Sequence, residues 1–407
     1  MMRRYLFGLL CFIGYYACFG WGEGVQLPYP EITELSWSPN GEKIAFAANL
    51  YAEEEPRDIY VVDVNKKQIT NLTNTPTVDE SHPVWSPDGT LIAYQREDVD
   101  GEPRIWLMNS DGSNQRQLTQ RRCHDPVWSP DGCYLVVAGF FSGDTGEDDE
   151  LLLITKEGEE VQMLIASPEP ECPAGWSPNN TFIVFTKPYR DSYGELIYSD
   201  LWRYNLNTKE LTKLATGPFL GAVSFSPDGS KIVYDNDGTL WVMNIEGSEK
   251  ACIFDQFQTQ HRAAHAPVWS PNGQKVAFVL NTYEQINDGS SEETYWNPGV
   301  ENIYLINPDG TGLEQITFFT GFLAKGQNPT VFAKRKGSLP SKIAQAKSSV
   351  EPKKGEGTKI ARNSPISLQK LPAREDTSKP SQAPLLAGGL SLTALGYAIW
   401  KFLKFLG

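Results

Sequence analysis

Between about residues 30 and 320 the apolar positions come in short runs. The runs are rich in β-branched and aromatic side chains and bounded by Gly, Asn, Asp and Pro. That is strand patterning, and no stretch of 23–333 keeps the 3.6-residue period of an amphipathic helix. One phrase punctuates the runs: Trp37-Ser-Pro-Asn-Gly41, Trp85-Ser-Pro-Asp-Gly89, Trp128-Ser-Pro-Asp-Gly132, Trp176-Ser-Pro-Asn-Asn180, Phe225-Ser-Pro-Asp-Gly229 and Trp269-Ser-Pro-Asn-Gly273. The intervals are 48, 43, 48, 49 and 44 residues. Pro presets φ, Asp or Asn caps locally and Gly takes the left-handed position, so each phrase predicts a tight turn.

A strand follows each turn, as in Lys43-Ile-Ala-Phe46 and Leu91-Ile-Ala-Tyr94. A second comes after it, as in Asp58-Ile-Tyr-Val-Val-Asp63 and Leu240-Trp-Val-Met-Asn244, and a last one ends in Leu72-Thr73, Leu118-Thr119 or Ile316-Thr317. With the strand that leads into the aromatic, each repeat holds four. A four-stranded sheet cannot bury both faces alone, whereas six around an axis can. The expectation is an all-β fold, a six-bladed β-propeller of four-stranded antiparallel blades over 23–333, with the repeated Trp and Phe as wedges between blades.

The ends of the chain read differently. Residues 1–22 hold a basic start and an apolar run from Tyr5 to Phe19, the pattern of a signal peptide or N-terminal anchor. Residues 334–384 contain no Phe, Tyr or Trp and are rich in Lys, Ser and Pro, as a disordered linker is. Such a coil spans roughly 40 Å root-mean-square and about 170 Å when stretched. Residues 385–407 carry an uncharged stretch closed by Trp400, Lys401 and Lys404, expected to be an apolar helix that anchors the chain to a membrane.

Charge sharpens this division. The whole chain has 36 Lys and Arg against 50 Asp and Glu, but 334–384 holds twelve basic residues against four acidic ones. An acidic body on a basic tether excludes binding to nucleic acid through phosphate neutralisation and favours a basic partner. Of the six cysteines only Cys123, Cys133, Cys172 and Cys252 lie in the body; spacing alone assigns no disulfide, though Cys123 and Cys172 on neighbouring inner strands could either pair or stay two free buried thiols. The absence of any Cys-x-x-Cys rules out a zinc ribbon.

Labelling the strands of a blade from the axis outwards, the repeated turn joins the first to the second on one face. The loops between second and third strands then share the opposite face with the blade-to-blade connections. Those loops are long: 51–57, 96–103, 139–150, 187–200 and 281–301, with acids such as Glu147 to Glu150 and aromatics including Tyr295 and Trp296. Long loops on a rigid scaffold are the usual home of function. All four histidines precede an inner strand's aromatic: His82 by three residues, His124 and His265 by four, and His261 by eight. Glu80, Asp125, Glu171 and Arg262 stand at neighbouring positions, and all are expected to converge on the channel mouth. The candidates admit three readings: a metal or catalytic cluster, a polar rim for protein binding, or hydrogen bonding at strand entries.

The repeated Trp-Ser-Pro-Asp-Gly, followed by Ile-Ala-Phe/Tyr, an Ile-Tyr-Val-Met-Asp-like strand and Leu-Thr, resembles the repeat of the TolB-type propellers. The same repeat occurs in the propellers of prolyl oligopeptidase-like and dipeptidyl-peptidase-like enzymes and in oligogalacturonate lyases. The resemblance covers about 30–320 and implies the propeller fold. About ten residues separate the leader from the first blade, so the α/β domain that precedes the propeller of TolB is expected to be missing. The chain contains no Gly-x-Ser-x-Gly and leaves no room after 320 for a hydrolase domain, so a peptidase is not expected. Oligogalacturonate lyases use channel histidines with a metal, which would give His82, His124 and His265 that role. The leading expectation is a non-catalytic protein-binding module of the cell envelope, extracytoplasmic and membrane-tethered, without cofactor or metal. The alternative is a polysaccharide lyase or carbohydrate-binding propeller using those histidines.

Overall fold

The computed structural model describes residues 30–51, 56–97, 100–139, 149–165, 167, 170–191, 196–255, 263–281, 284–286, 295–297 and 300–320. The leader, the linker 334–384 and the C-terminal segment lie outside the described residues. Among the described residues every regular element is a strand.

Six four-stranded antiparallel sheets follow one another as blades. Their inner strands are Ile32–Trp37, Asp79–Trp85, Cys123–Trp128, Cys172–Trp176, Leu220–Phe225 and Ala264–Trp269. Each pairs with the strand after the turn, and the second, third and fourth strands pair in order outwards. The wedge reading of the aromatics holds: Trp37, Trp85, Trp128 and Trp269 are buried at the seams. Their indoles reach the neighbouring blade in two cases, Trp37 Nε1 donating to the Val268 carbonyl at 3.3 Å and Trp128 Nε1 to the Val84 carbonyl at 3.2 Å.

The turn phrase explains itself in contacts. Ser86 Oγ donates to Asp88 Oδ1 at 2.6 Å and accepts from the Leu91 amide at 2.9 Å, which locks the turn. Gly89 sits at φ 73°, and a Cβ there would lie 3.6 Å from Cδ of Pro39 in the preceding blade. Each glycine-bearing turn thus leans on the one before it, and Gly41 against Pro271 carries the contact across from blade one to blade six. Asn180, where the phrase lacks its glycine, takes the same left-handed conformation at φ 57°.

Leu-Thr lies one residue beyond the outer strands rather than inside them, since those end at Asn71, Gln117 and Gln315. The Leu118 amide donates to the Ile105 carbonyl at 2.8 Å, and Thr119 Oγ1 accepts from the Ile105 amide at 3.0 Å. Thr73 with Ile59 and Thr317 with Ile303 repeat this clamp. Thr119→Val, which keeps the shape and strands the Ile105 amide, is expected to cost about 1–3 kcal/mol in a denaturant titration.

Two expected loops contain strand. In blade four the second and third strands run Phe182–Arg190 and Leu196–Asn205, so 187–200 is largely a raised hairpin with Tyr189 stacked on Tyr198 at 4.6 Å. In blade six the segment 281–301 holds an inserted hairpin, Glu284–Ile286 with Tyr295–Asn297. Cross-strand backbone pairing extends both beyond the turn that composition alone marks.

Among the described residues ring closure uses no exchanged strand; 24–29 and 327–333, which could supply one, lie outside them. Blade one takes all four strands from 32–71, and blade six takes its four from 264–315. The seam between them is held by one apolar cluster that includes Ile32, Phe46 and Leu50 from the first blade and Val279, Ile303, Ile316 and Phe319 from the last. No disulfide joins Cys123, Cys133, Cys172 and Cys252, and burial pushes the Cys123 thiol up to about 12.

Candidate functional site

The inner strands share an irregularity. Their register against the second strand slips between Thr33 and Leu35, Ser81 and Val84, His124 and Val127, Pro173 and Gly175, Leu220 and Val223, and His265 and Val268. A bulge bends a strand and re-aims its side chains. Here it turns the residue three before the aromatic left-handed in four blades: Glu34 (φ 36°), His82 (51°), Asp125 (52°) and Ala266 (52°).

In blades one to three the bulge residues meet. His82 Nε2 lies 2.9 Å from Asp125 Oδ1 and 3.5 Å from Glu34 Oε1. The other Asp125 oxygen is 3.1 Å from His124 Nδ1. His124 Nε2 is 3.1 Å from Asp149 Oδ2, and Arg122 forks onto that carboxylate at 2.8 and 3.0 Å. Acid and base therefore alternate, Glu34–His82–Asp125–His124–Asp149–Arg122, through three blades. The chain is half-buried at Glu34 and His82 and deepens toward Asp149.

Electrostatics follow from that alternation. Burial alone would lower the His124 pKa, but the Asp125 and Asp149 carboxylates override it and raise it to about 10. Burial works the same way at His82, and Glu34 and Asp125 again raise it. Burial would raise the Asp125 pKa, yet the two imidazoliums hold it far below the usual carboxylate range. His124 is thus a cation at neutral pH, and the balance at His82 moves in the same direction. A histidine whose folded pKa is raised contributes stability that is complete below its unfolded value near 6.5 and is lost as pH rises through the folded value. The midpoint of thermal unfolding is accordingly expected to fall between pH 6.5 and 10, with His124→Gln flattening that decline.

His265 stands apart from this chain and repeats part of it. Its Nε2 is 3.3 Å from Glu301 Oε1, at the head of the third strand of blade six, as His124 meets Asp149 just ahead of the third strand of blade three. The histidine four before the aromatic is therefore a clamp onto its own blade. Among the described residues, no group of three or more His, Cys, Asp and Glu has a geometry to hold a metal ion.

The remaining predicted residues are placed as follows. Glu80 and Glu171 do not reach the channel surface, both being wholly buried in seams. Glu80 Oε1 lies 3.8 Å from Arg96 Nη1, and Glu171 Oε1 lies 3.4 Å from Lys187 Nζ, the same pairing in blades two and four. Burial pushes the Glu80 carboxyl up to about 7. Tyr295 and Trp296 lie on the inserted hairpin, opposite Ile286 and Gln285. Arg262, like His261 and the acids Glu147 and Asp148, falls outside the described residues. Glu34, Asp149, Arg122 and Glu301 are members that the histidine count missed.

Comparison with known proteins agrees with this architecture. Residues 32–201 match the family model described as TolB beta propeller domain. An uncharacterized peptidase, YuxL, of Bacillus subtilis is 26% identical over 238 residues, 56% of this chain and 34% of the relative. A TolB homolog of Chlorobaculum tepidum is 30% identical over 119 residues, 29% of this chain and 25% of the relative. The chain thus spans about a third or less of the length of these curated relatives. A putative TolB from Agrobacterium tumefaciens superposes with a TM-score of 0.51 at 18% identity, over 66% of this chain and 91% of that one. The described chain is a TolB-like six-bladed propeller.

Proposed function

We propose that this propeller is a non-catalytic protein-binding module working outside the cytoplasm, tethered to a membrane through 334–384 and 385–407. A protein partner engages the mouth formed by Glu34, His82 and Asp125, with Arg262, Tyr295 and Trp296 as further contacts. The acidic excess of the body favours a basic partner.

One observation supports this reading most. His124 Nδ1 and Nε2 each lie 3.1 Å from a carboxylate oxygen, of Asp125 and Asp149, and His82 Nε2 lies 2.9 Å from Asp125, so both rings are biased toward the protonated form. A general base or a metal ligand needs a neutral imidazole with a lone pair to offer. An imidazolium set among carboxylates offers fixed charge instead, which suits recognition rather than turnover.

The test is site-specific photocrosslinking of the full chain in its native membrane. A crosslinker at position 34 or 82 is expected to trap a protein that one at Asp88, on the opposite face, does not, and trapping should weaken with salt. Equal trapping from both faces would refute the mouth as the contact. Cleavage of oligogalacturonate by the wild type, lost in His124→Ala, would establish the lyase reading in its place.

A further inference from the structure

Five of the six seams are crossed by the chain itself, running from an outer strand to the next inner one. The seam between blades six and one is not. It has its apolar cluster, the Trp37–Val268 hydrogen bond and, at the outer strands, Lys67 Nζ on Glu314 Oε1 and the Gln315 carbonyl, both at 3.0 Å, and near the axis it carries one buried carboxylate. Glu301 Oε2 accepts from the Ile32 amide at 2.7 Å in a buried contact that joins the last blade to the first strand of the ring. Its Oε1 meets His265 Nε2 and Asn281 Nδ2, each at 3.3 Å. From blade five, Asp235 lies within electrostatic reach of the same histidine. Asp235 is 1% exposed, and its Oδ1 receives no hydrogen bond. Gly221 makes room for it, since a Cβ there would lie 2.6 Å from Asp235 Oδ2.

We infer that this seam is a proton-dependent latch, in which His265 holds Glu301 and Asp235 together across blades five, six and one, and that it loosens as pH rises. The charged groups facing His265 are Glu301 at the head of the third strand of blade six, Asp235 on the second strand of blade five, and Glu31 ahead of the first strand of blade one. Their signs agree in direction. Burial would lower the His265 pKa, and these three carboxylates raise it. Burial pushes the Asp235 carboxyl up to about 7. Rising pH therefore adds a negative charge at Asp235 and finally removes the positive one at His265. What is left is a set of carboxylates facing one another at low dielectric, where like charges repel strongly. The strand released by loosening, Ile32–Trp37, carries Glu34, so the latch bears on the charged mouth as well.

Hydrogen exchange of the full chain between pH 6 and 8.5, corrected for intrinsic rates, tests this without any partner. One linked proton changes an opening equilibrium by at most tenfold per pH unit. Protection of Ile32–Trp37 is expected to fall on the order of tenfold across the range, while that of the inner strand of blade four, Cys172–Trp176, stays level. Asp235→Asn should remove most of that fall. Parallel loss in both strands, no loss in either, or an unchanged slope in Asp235→Asn would overturn the latch.

Discussion

Replacing Asp125 with alanine is expected to lower the stability of the ring by about 3 kcal/mol, since two imidazoliums lose the counterion they share. For a domain of this size that is a fall of about 6–12 °C in the unfolding midpoint. Asp125→Asn, which keeps a residue tolerant of the left-handed φ of 52° and one hydrogen-bond acceptor, should cost roughly half as much. Charge loss also predicts a signature that a packing defect would not give. The His82 and His124 pKa values should both drop in the variant, so its stability should fall less steeply above pH 6.5 than that of the wild type. A differential scanning series from pH 6 to 10 reads both effects.

The second large effect is expected at Phe278. Its ring is wholly buried between blades five and six, 5.4 Å from Phe254 and 6.1 Å from Tyr304 by ring centroids. Phe278→Ala removes the centre of that seam and should cost about 3–5 kcal/mol in urea. Leu211→Ala, at a side chain left 50% exposed on an outer strand, should change the same measurement by no more than about 0.5 kcal/mol. Comparable losses at both positions would mean that the seams do not carry the stability of the ring.

The propeller was legible because its signal is repeated. Six aromatics at near-constant spacing, each followed by a turn with its own chemistry, fix blade number and strand order at once. The site was legible only in part. Counting back from each aromatic treats the residues three, four and five before it as one converging set. The bulge breaks that set. It brings His82 and Asp125 together at the channel end, while the residue five before, Glu80 or Glu171, goes into a seam. A signal for the difference was present in the sequence. Repeats with Glu at that position carry Arg96 or Lys187 eleven after the aromatic, whereas the others have apolar Ile32, Cys123, Leu220 and Ala264 there. Asp149 and Glu301 stayed hidden for another reason. Each lies across a loop of variable length from the histidine it clamps, and only strand pairing brings the two together.

The proton occupancy of His82 and His124 decides between recognition and catalysis, because fixed cations recognise charge and neutral imidazoles are free to catalyse or to ligate. Nitrogen-15 chemical shifts of the two rings at pH 7.5, assigned by His82→Gln and His124→Gln, measure that occupancy directly. Two doubly protonated imidazoliums are predicted. A neutral ring at either position, with one nitrogen at the shift of an unprotonated lone pair, would contradict the binding-only mouth.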